Sequence, residues 1–245
     1  MATDFKPALI VVDMQEDFCP PNGSLAVARG RDIAAPINQL LALPSFALKV
    51  ATKDWHPPNH ISFASNHAGK KAFVDCVEVA NPYDDSQRYE SRLWPVHCVQ
   101  GTAGAQLIPE LDSERLDVVI EKGTDARVEM YSPFYAPFDE KGDEEEEEKG
   151  KKRKRVGDSG LLSLLRSHAV TDVYVVGLAG DYCVKSCAQD SVREGFRTYL
   201  IEECTRAVDS DKASWDACKR QIEDAGAKIV GLHGPEVRRL GLLVD

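Results

Sequence analysis

Four apolar runs in this 245-residue sequence lead into side chains that can move a proton, attack a carbonyl or hold a metal. ALIVVD ends at Asp13, ALKVATK runs into Asp54, DVVIEK ends at Lys122, and DVYVVG leads through LAGD to Tyr182 and Cys183. Cys183 follows a Gly-Asp turn in the first turn of a helix-compatible stretch, where orphan N–H groups and the helix dipole favour thiolate over thiol. The same N–H groups can hold a developing oxyanion. Asp13 can accept the thiol proton, and Lys122, expected on a neighbouring strand end, can stabilise both anions. The competing reading is a buried Asp13-Lys122 ion pair with no chemical role. No histidine lies near Cys183 in sequence, so an Asp-Lys-Cys set departs from the Cys-His arrangement common among cysteine hydrolases.

A second group is Asp54-Trp55-His56 together with His97 in Trp94-Pro95-Val96-His97. Alternate residues of an extended segment share a face, so Asp54 and His56 point the same way. With His97 they offer a carboxylate and two imidazoles, a set suited to Zn²⁺, Fe²⁺ or Mn²⁺ with positions left open for water or substrate. D-x-H alone is a weak signal. His60 and His67 are further candidate ligands, expected rather at the surface or as supporting partners, and Ser62 is placed to approach a metal through water.

These residues need a scaffold that gathers strand ends. Six β-branched runs, Ala8 to Asp13, Ala47 to Lys53, Asp117 to Lys122, Asp172 to Gly177, Arg197 to Glu202 and Ala227 to Leu232, alternate with helix-compatible segments at Asp32 to Leu43, Gly160 to His168, Tyr182 to Gly195 and Ser210 to Ala225. Near-continuous apolar strands suit a sheet covered on both faces. The pattern predicts an α/β, three-layer Rossmann-like fold, with a six-stranded mostly parallel sheet flanked by helices and its ligand crevice at the C-terminal strand ends. Because every part of the site comes from a different region, residues 1–245 read as a single domain.

Composition narrows the class further. Hydrophobic residues at 43% and charged residues at 29% fit a globular chain, and the net charge of −10 disfavours nonspecific binding to nucleic acid or anionic lipid. No apolar run reaches bilayer length and no secretory signal is expected. Seven irregularly spaced cysteines then read as thiols rather than a disulfide framework. One segment breaks the pattern: Asp139 to Asp158 carries nine acids and seven bases with Val156 as its single apolar residue. It reads as a solvated, mobile, low-complexity insertion, and its basic cluster, Lys151 to Arg155, reads either as a solvated charge run or as a segment suited to recognition by an import receptor.

The segments VVDMQEDF (Val11 to Phe18), TKDWHPPNHISFA (Thr52 to Ala64), LWPVHCVQGTAGA (Leu93 to Ala105), IEKG (Ile120 to Gly123) and GLAGDYCVK (Gly177 to Lys185), in this order, resemble the nicotinamidases of the isochorismatase-like cysteine hydrolase family. The resemblance covers nearly the whole chain outside the charged insertion. It implies that Asp13, Lys122 and Cys183 are a catalytic triad and that Asp54, His56 and His97 hold one divalent metal, usually zinc. It further implies an oxyanion hole from the backbone amides of Ala179 and Cys183, a cis Leu178-Ala179 peptide, and Phe18, Trp94 and Tyr182 around a pyridine ring, with Gln15 supporting the metal site. Gly180 stands where many relatives carry a larger residue such as Thr, and Ser62 where some bacterial relatives have another His or an acid.

The implied reaction turns nicotinamide into nicotinate and ammonia through a thioester, in NAD salvage. A metal anchoring the pyridine nitrogen while the thiolate meets the amide carbon would act by orientation. An amidase of the same superfamily acting on ureido or carbamoyl substrates would need the triad but not the metal set. A non-enzymatic nuclear protein binding through Lys151 to Arg155 is the alternative from another class. The implied location is cytoplasmic, with nuclear entry and homo-oligomer formation left open.

Overall fold

Along the first strand, β1 (Pro7–Val12), Leu9 and Val11 face one way and Ala8, Ile10 and Val12 the other, and all six residues are buried. Such a strand has to lie inside a sheet covered on both sides. The computed structural model describes residues 5–138 and 156–241, so the acidic block and the Lys151 to Arg155 cluster lie outside the described residues. The further strands are β2 (Leu48–Asp54), β3 (Cys76–Asn81), β4 (Asp84–Arg92), β5 (Val118–Lys122), β6 (Asp172–Gly177), β7 (Arg197–Thr205) and β8 (Lys228–Val230). Six of them form one sheet in the order β5-β2-β1-β6-β7-β8, and every pairing in it is parallel.

Helices cover both faces. On one side α1 (Ala34–Leu41) and the short α5 (Pro235–Arg238) bury Ile37, Leu40 and Val237 against Leu9, Val11, Tyr174 and Val176. On the other side α2 (Leu161–Ser167), α3 (Lys185–Arg193) and α4 (Lys212–Asp224) bury Leu161, Leu165, Cys187 and Ile222 against Ala8, Ile10, Val173 and Val175. This is the three-layer arrangement expected from the alternation of runs. Asp211 caps α4 by accepting from Ala213 N and Ser214 N at 3.1 and 3.0 Å. No helix among the described residues is long and apolar enough to cross a membrane.

Three local differences from the sequence expectations have physical reasons. The first helix starts at Ala34 because Gly30–Ile33 wind as a 3₁₀ turn. The helix expected from Tyr182 is divided into a π-helical turn, Gly180–Val184, and α3, which changes how Cys183 is presented. β3 and β4 form a separate antiparallel hairpin that no apolar periodicity announced, since β4 reads DDSQRYESR.

Gly177, at the end of β6, has φ +114°, and a Cβ there would lie 2.1 Å from the Val12 carbonyl oxygen. Only glycine lets the ends of β1 and β6 approach this closely. That approach brings the segments bearing Asp13 and Cys183 together.

Candidate active site

Parallel register delivers the site residues to one edge. Asp54 and Lys122 are directly paired at the ends of β2 and β5, as are Val12 and Gly177 at the ends of β1 and β6. Asp13 turns away from β1 with φ +48°, a left-handed conformation that Asp tolerates better than most residues. Its N–H donates to the Thr52 carbonyl at 3.2 Å, and the Thr52 hydroxyl donates to Asp13 Oδ1 at 2.6 Å. Lys122 was expected on a strand next to β1, but β2 lies between them. Its long side chain closes that gap. Nζ lies 3.0 Å from Asp13 Oδ2 and 3.4 Å from Cys183 Sγ, donates to the Met130 carbonyl at 3.3 Å, and is in direct contact with Asp54 Oδ1. All four side chains are buried.

Burial and charge divide the protons among them. Burial pushes the Asp13 carboxyl up, and Lys122 offsets this only in part. Burial acts on Asp54 in the same direction, yet Lys122 and His56, helped by His97, outweigh it and hold Asp54 well below the usual carboxylate range. Lys122 is drawn well above the usual lysine range by Asp13 and Asp54 despite its burial. The site therefore pairs a charged Lys122 with an anionic Asp54 and leaves Asp13 as the carboxylate with the greater appetite for a proton. Burial pushes the Cys183 thiol well up as well, against the pull of Lys122. Desolvation thus outweighs the helix-start effect, in keeping with the expectation that Cys183 is accompanied by a base.

Beside the triad, His56 and His97 are fixed through their Nδ1 atoms, which lie 2.8 Å from the carbonyls of Gly123 and Pro95. Both Nε2 atoms then face Asp54 Oδ2, at 3.5 and 3.9 Å. His56 Nε2 is buried without a hydrogen-bond partner. One ligand atom from each of Asp54, His56 and His97 falls within 4.8 Å of the others. An orphaned imidazole nitrogen beside a carboxylate and a second imidazole fits a divalent metal. Burial pushes His97 down to about 4, which keeps its Nε2 lone pair free at neutral pH. Gln15 fastens Asp54 at its backbone, accepting from Asp54 N and donating to Asp54 O at 2.8 Å each. At Gly123, with φ +66°, a Cβ would lie 2.4 Å from the His56 ring, so glycine makes room for that ligand.

His60 is fully buried, contrary to a surface position, and stacks on His56 with ring centroids 4.0 Å apart. Burial pushes it down to about 2, and its ring nitrogens meet Ser62 Oγ at 2.8 Å and the Val128 carbonyl at 3.1 Å. Ser62 is thus engaged by His60. His67 lies 2.7 Å from the Ile61 carbonyl. Sequence reasoning missed Glu129, which is buried and shares a donor group with His56 and His60, and it missed Tyr131, whose hydroxyl accepts from Trp94 Nε1 at 3.0 Å. Both lie outside regular elements, in a stretch without periodicity that could have flagged them.

A pocket open to solvent joins the two groups. Phe18, Leu25, Trp94, Tyr131, Tyr182 and Val208 form apolar walls, while Asp54, His97, Glu129 and Cys183 supply polar groups. Trp94 and Tyr182 meet edge to face at 4.8 Å. The three aromatic residues singled out in the sequence thus line one cavity. Ala179 lies at the same wall beyond the cis Leu178-Ala179 peptide, and its carbonyl accepts from Tyr182 N and Val184 N at 3.1 Å each.

A doubly wound parallel sheet with Asp, Lys and Cys converging at its carboxyl edge defines a class of hydrolase scaffold. Residues 7–233 match the isochorismatase domain model, and the chain belongs to that family. Within the family it is 40% identical to a nicotinamidase of Acinetobacter baylyi over 222 residues, covering 91% of each chain. Its structure superposes on the yeast nicotinamidase Pnc1p bound to the inhibitor nicotinaldehyde with a TM-score of 0.80, at 31% identity over 92% of this chain and 99% of that one. It also superposes on a pyrazinamidase of Pyrococcus horikoshii in complex with zinc, with a TM-score of 0.65 and 32% identity over 92% and 99% of the two chains.

Proposed function

We propose that this chain is a nicotinamide amidohydrolase, releasing nicotinate and ammonia by thioester chemistry at Cys183. The observation that carries this reading is the shared pocket: Cys183 and the metal-fitting residues Asp54 and His97 open onto one cavity with aromatic walls. A pyridine carboxamide has its ring nitrogen and amide on different ring positions, so one flat ligand can address both groups. Phe18, Trp94 and Tyr182 enclose the ring. Asp54, His56 and His97 would hold a divalent ion, Zn²⁺ in this reading, which would supply Lewis acidity to anchor the ring nitrogen.

Asp13, the carboxylate with the raised affinity for protons, takes the proton of Cys183, and the sulfur attacks the amide carbon. Backbone N–H groups of Ala179 and Cys183 stabilise the oxyanion, and Lys122 balances the charge passing between Asp13 and Cys183. Asp13 returns its proton to the departing ammonia. It then takes one from the water that hydrolyses the thioester, and that proton restores the thiol.

The decisive experiment measures ammonia release from nicotinamide together with bound metal. Cys183→Ala should lower kcat by at least about a thousandfold while metal content stays at the wild-type level. His56→Ala should lower metal content and raise KM. Full turnover by Cys183→Ala would remove the nucleophile from this account. The reading extends to NAD salvage, to one hydrolase domain over residues 1–245, and to a cytoplasmic protein, with nuclear entry through Lys151 to Arg155 an open alternative.

A further inference from the structure

Arg92, the last residue of β4, joins three chain segments at the rim of the pocket. Its Nη1 donates to the Tyr182 hydroxyl at 3.0 Å and lies 3.3 Å from Asp209 Oδ2, while Nε donates to the Phe73 carbonyl at 2.8 Å. The guanidinium carbon stands 5.3 Å from the Trp94 ring centroid. Asp209 is itself fixed, since the Asp181 carboxylate accepts from Val208 N and Asp209 N at 2.9 Å each. Trp94 and Val208 line the pocket from the two sides that Arg92 spans, and Tyr182 stands beside the nucleophile. Among the described residues, no strand ladder connects the hairpin to β6 or β7. Main-chain hydrogen bonds tie Trp94 to Ser62 and Ala64, at 2.8 and 2.9 Å, and Arg92 adds a side-chain link from the end of β4 to Tyr182 and the Asp209 loop.

We propose that Arg92 is a positioning residue for ring recognition, holding the Tyr182 hydroxyl and the Asp209 loop so that Tyr182 keeps its edge-to-face contact with Trp94 and the two rings stand together as one aromatic wall of the pocket beside Cys183. Arginine suits this task because one planar group can stack on an indole while donating along its edges in fixed directions. Lysine provides the charge without the fork. The inference rests on Trp94 and Tyr182 being the walls of the ring site.

Steady-state kinetics on the metal-loaded enzyme separate the cases. Arg92→Met should raise KM for nicotinamide about tenfold, the size of one charge-assisted hydrogen bond, with kcat changed by no more than about twofold. Arg92→Lys should recover part of this loss, and Tyr182→Phe combined with Arg92→Met should be no worse than Arg92→Met alone. Asp209→Asn, at an exposed position, should raise KM by about threefold and keeps the test open should Arg92→Met fail to fold. An unchanged KM in Asp209→Asn and Arg92→Lys, or fully additive losses in the double variant, overturns the positioning role. Trp94→Ala is the control for the site itself: if its KM is unchanged, the ring site has been misplaced, a failure distinct from that of Arg92.

Discussion

Asp13 and Asp54 are two buried carboxylates that share one lysine, and their surroundings give them different work. Asp54 has Lys122 against one oxygen and two imidazoles facing the other, which keeps it anionic and fit to hold a cation. Asp13 has the more distant contact with Lys122 and a single hydroxyl from Thr52, and burial leaves its affinity for protons raised. The pH dependence follows in sign. A base acts only when deprotonated, so kcat/KM should fall as pH drops through the raised Asp13 value, and the acid limb should lie above the ordinary aspartate range. A pH profile of kcat/KM under metal saturation checks this. An acid limb at or below the ordinary aspartate range would refute the raised proton affinity of Asp13, and an acid limb unchanged in Asp13→Asn would remove Asp13 as the base.

At the scale of elements, the sequence was informative where strands end and nearly silent where chain crosses between them. Asp13, Asp54, Lys122 and Cys183 could be placed at one edge because β-branched runs mark parallel strands and polar residues terminate them. That signal carries no strand order, so the intervention of β2 between β1 and β5 was hidden, along with the reach it demands of Lys122. The hairpin was hidden for another reason. β4 buries Ser91 while leaving charged residues along its length in contact with water, so neither alternation nor apolar content singles it out. Gly177 was visible only as the end of a run, though its contact with Val12 joins the segments bearing Asp13 and Cys183. Gly177→Ala should destabilise the fold by about 3 kcal/mol or more, since the new methyl would meet backbone that cannot yield. Gly195→Ala, also at positive φ but with open space around it, should cost only about 1 kcal/mol. Denaturant unfolding of the two variants compares clash with conformational strain, and equal losses would refute the close-approach argument.

Across the whole molecule, the charge of −10 averages over two unlike parts. The stretch Asp139 to Asp158 holds sixteen charged residues that nearly cancel, so its loss would leave the remainder acidic. Its flanks are built into the fold. Ala136 N donates to the Val156 carbonyl at 3.0 Å, which brings the chain on either side of residues 139–155 together. Gly157, Asp158 and Ser159 line a cavity with Lys122 and Met130, and Ser159 Oγ donates to the Pro133 carbonyl. These contacts set where a deletion can be made without reaching the catalytic edge. Replacing residues 140–154 by a short Gly-Ser link, with Val156 to Ser159 retained, should leave kcat/KM for nicotinamide within about twofold of wild type, because no residue of the pocket is removed. The same variant should lose nuclear accumulation if Lys151 to Arg155 is an import signal, so fluorescence microscopy and ammonia release read separate functions from one protein. Loss of turnover with folding intact would instead give residues 140–154 a part in catalysis.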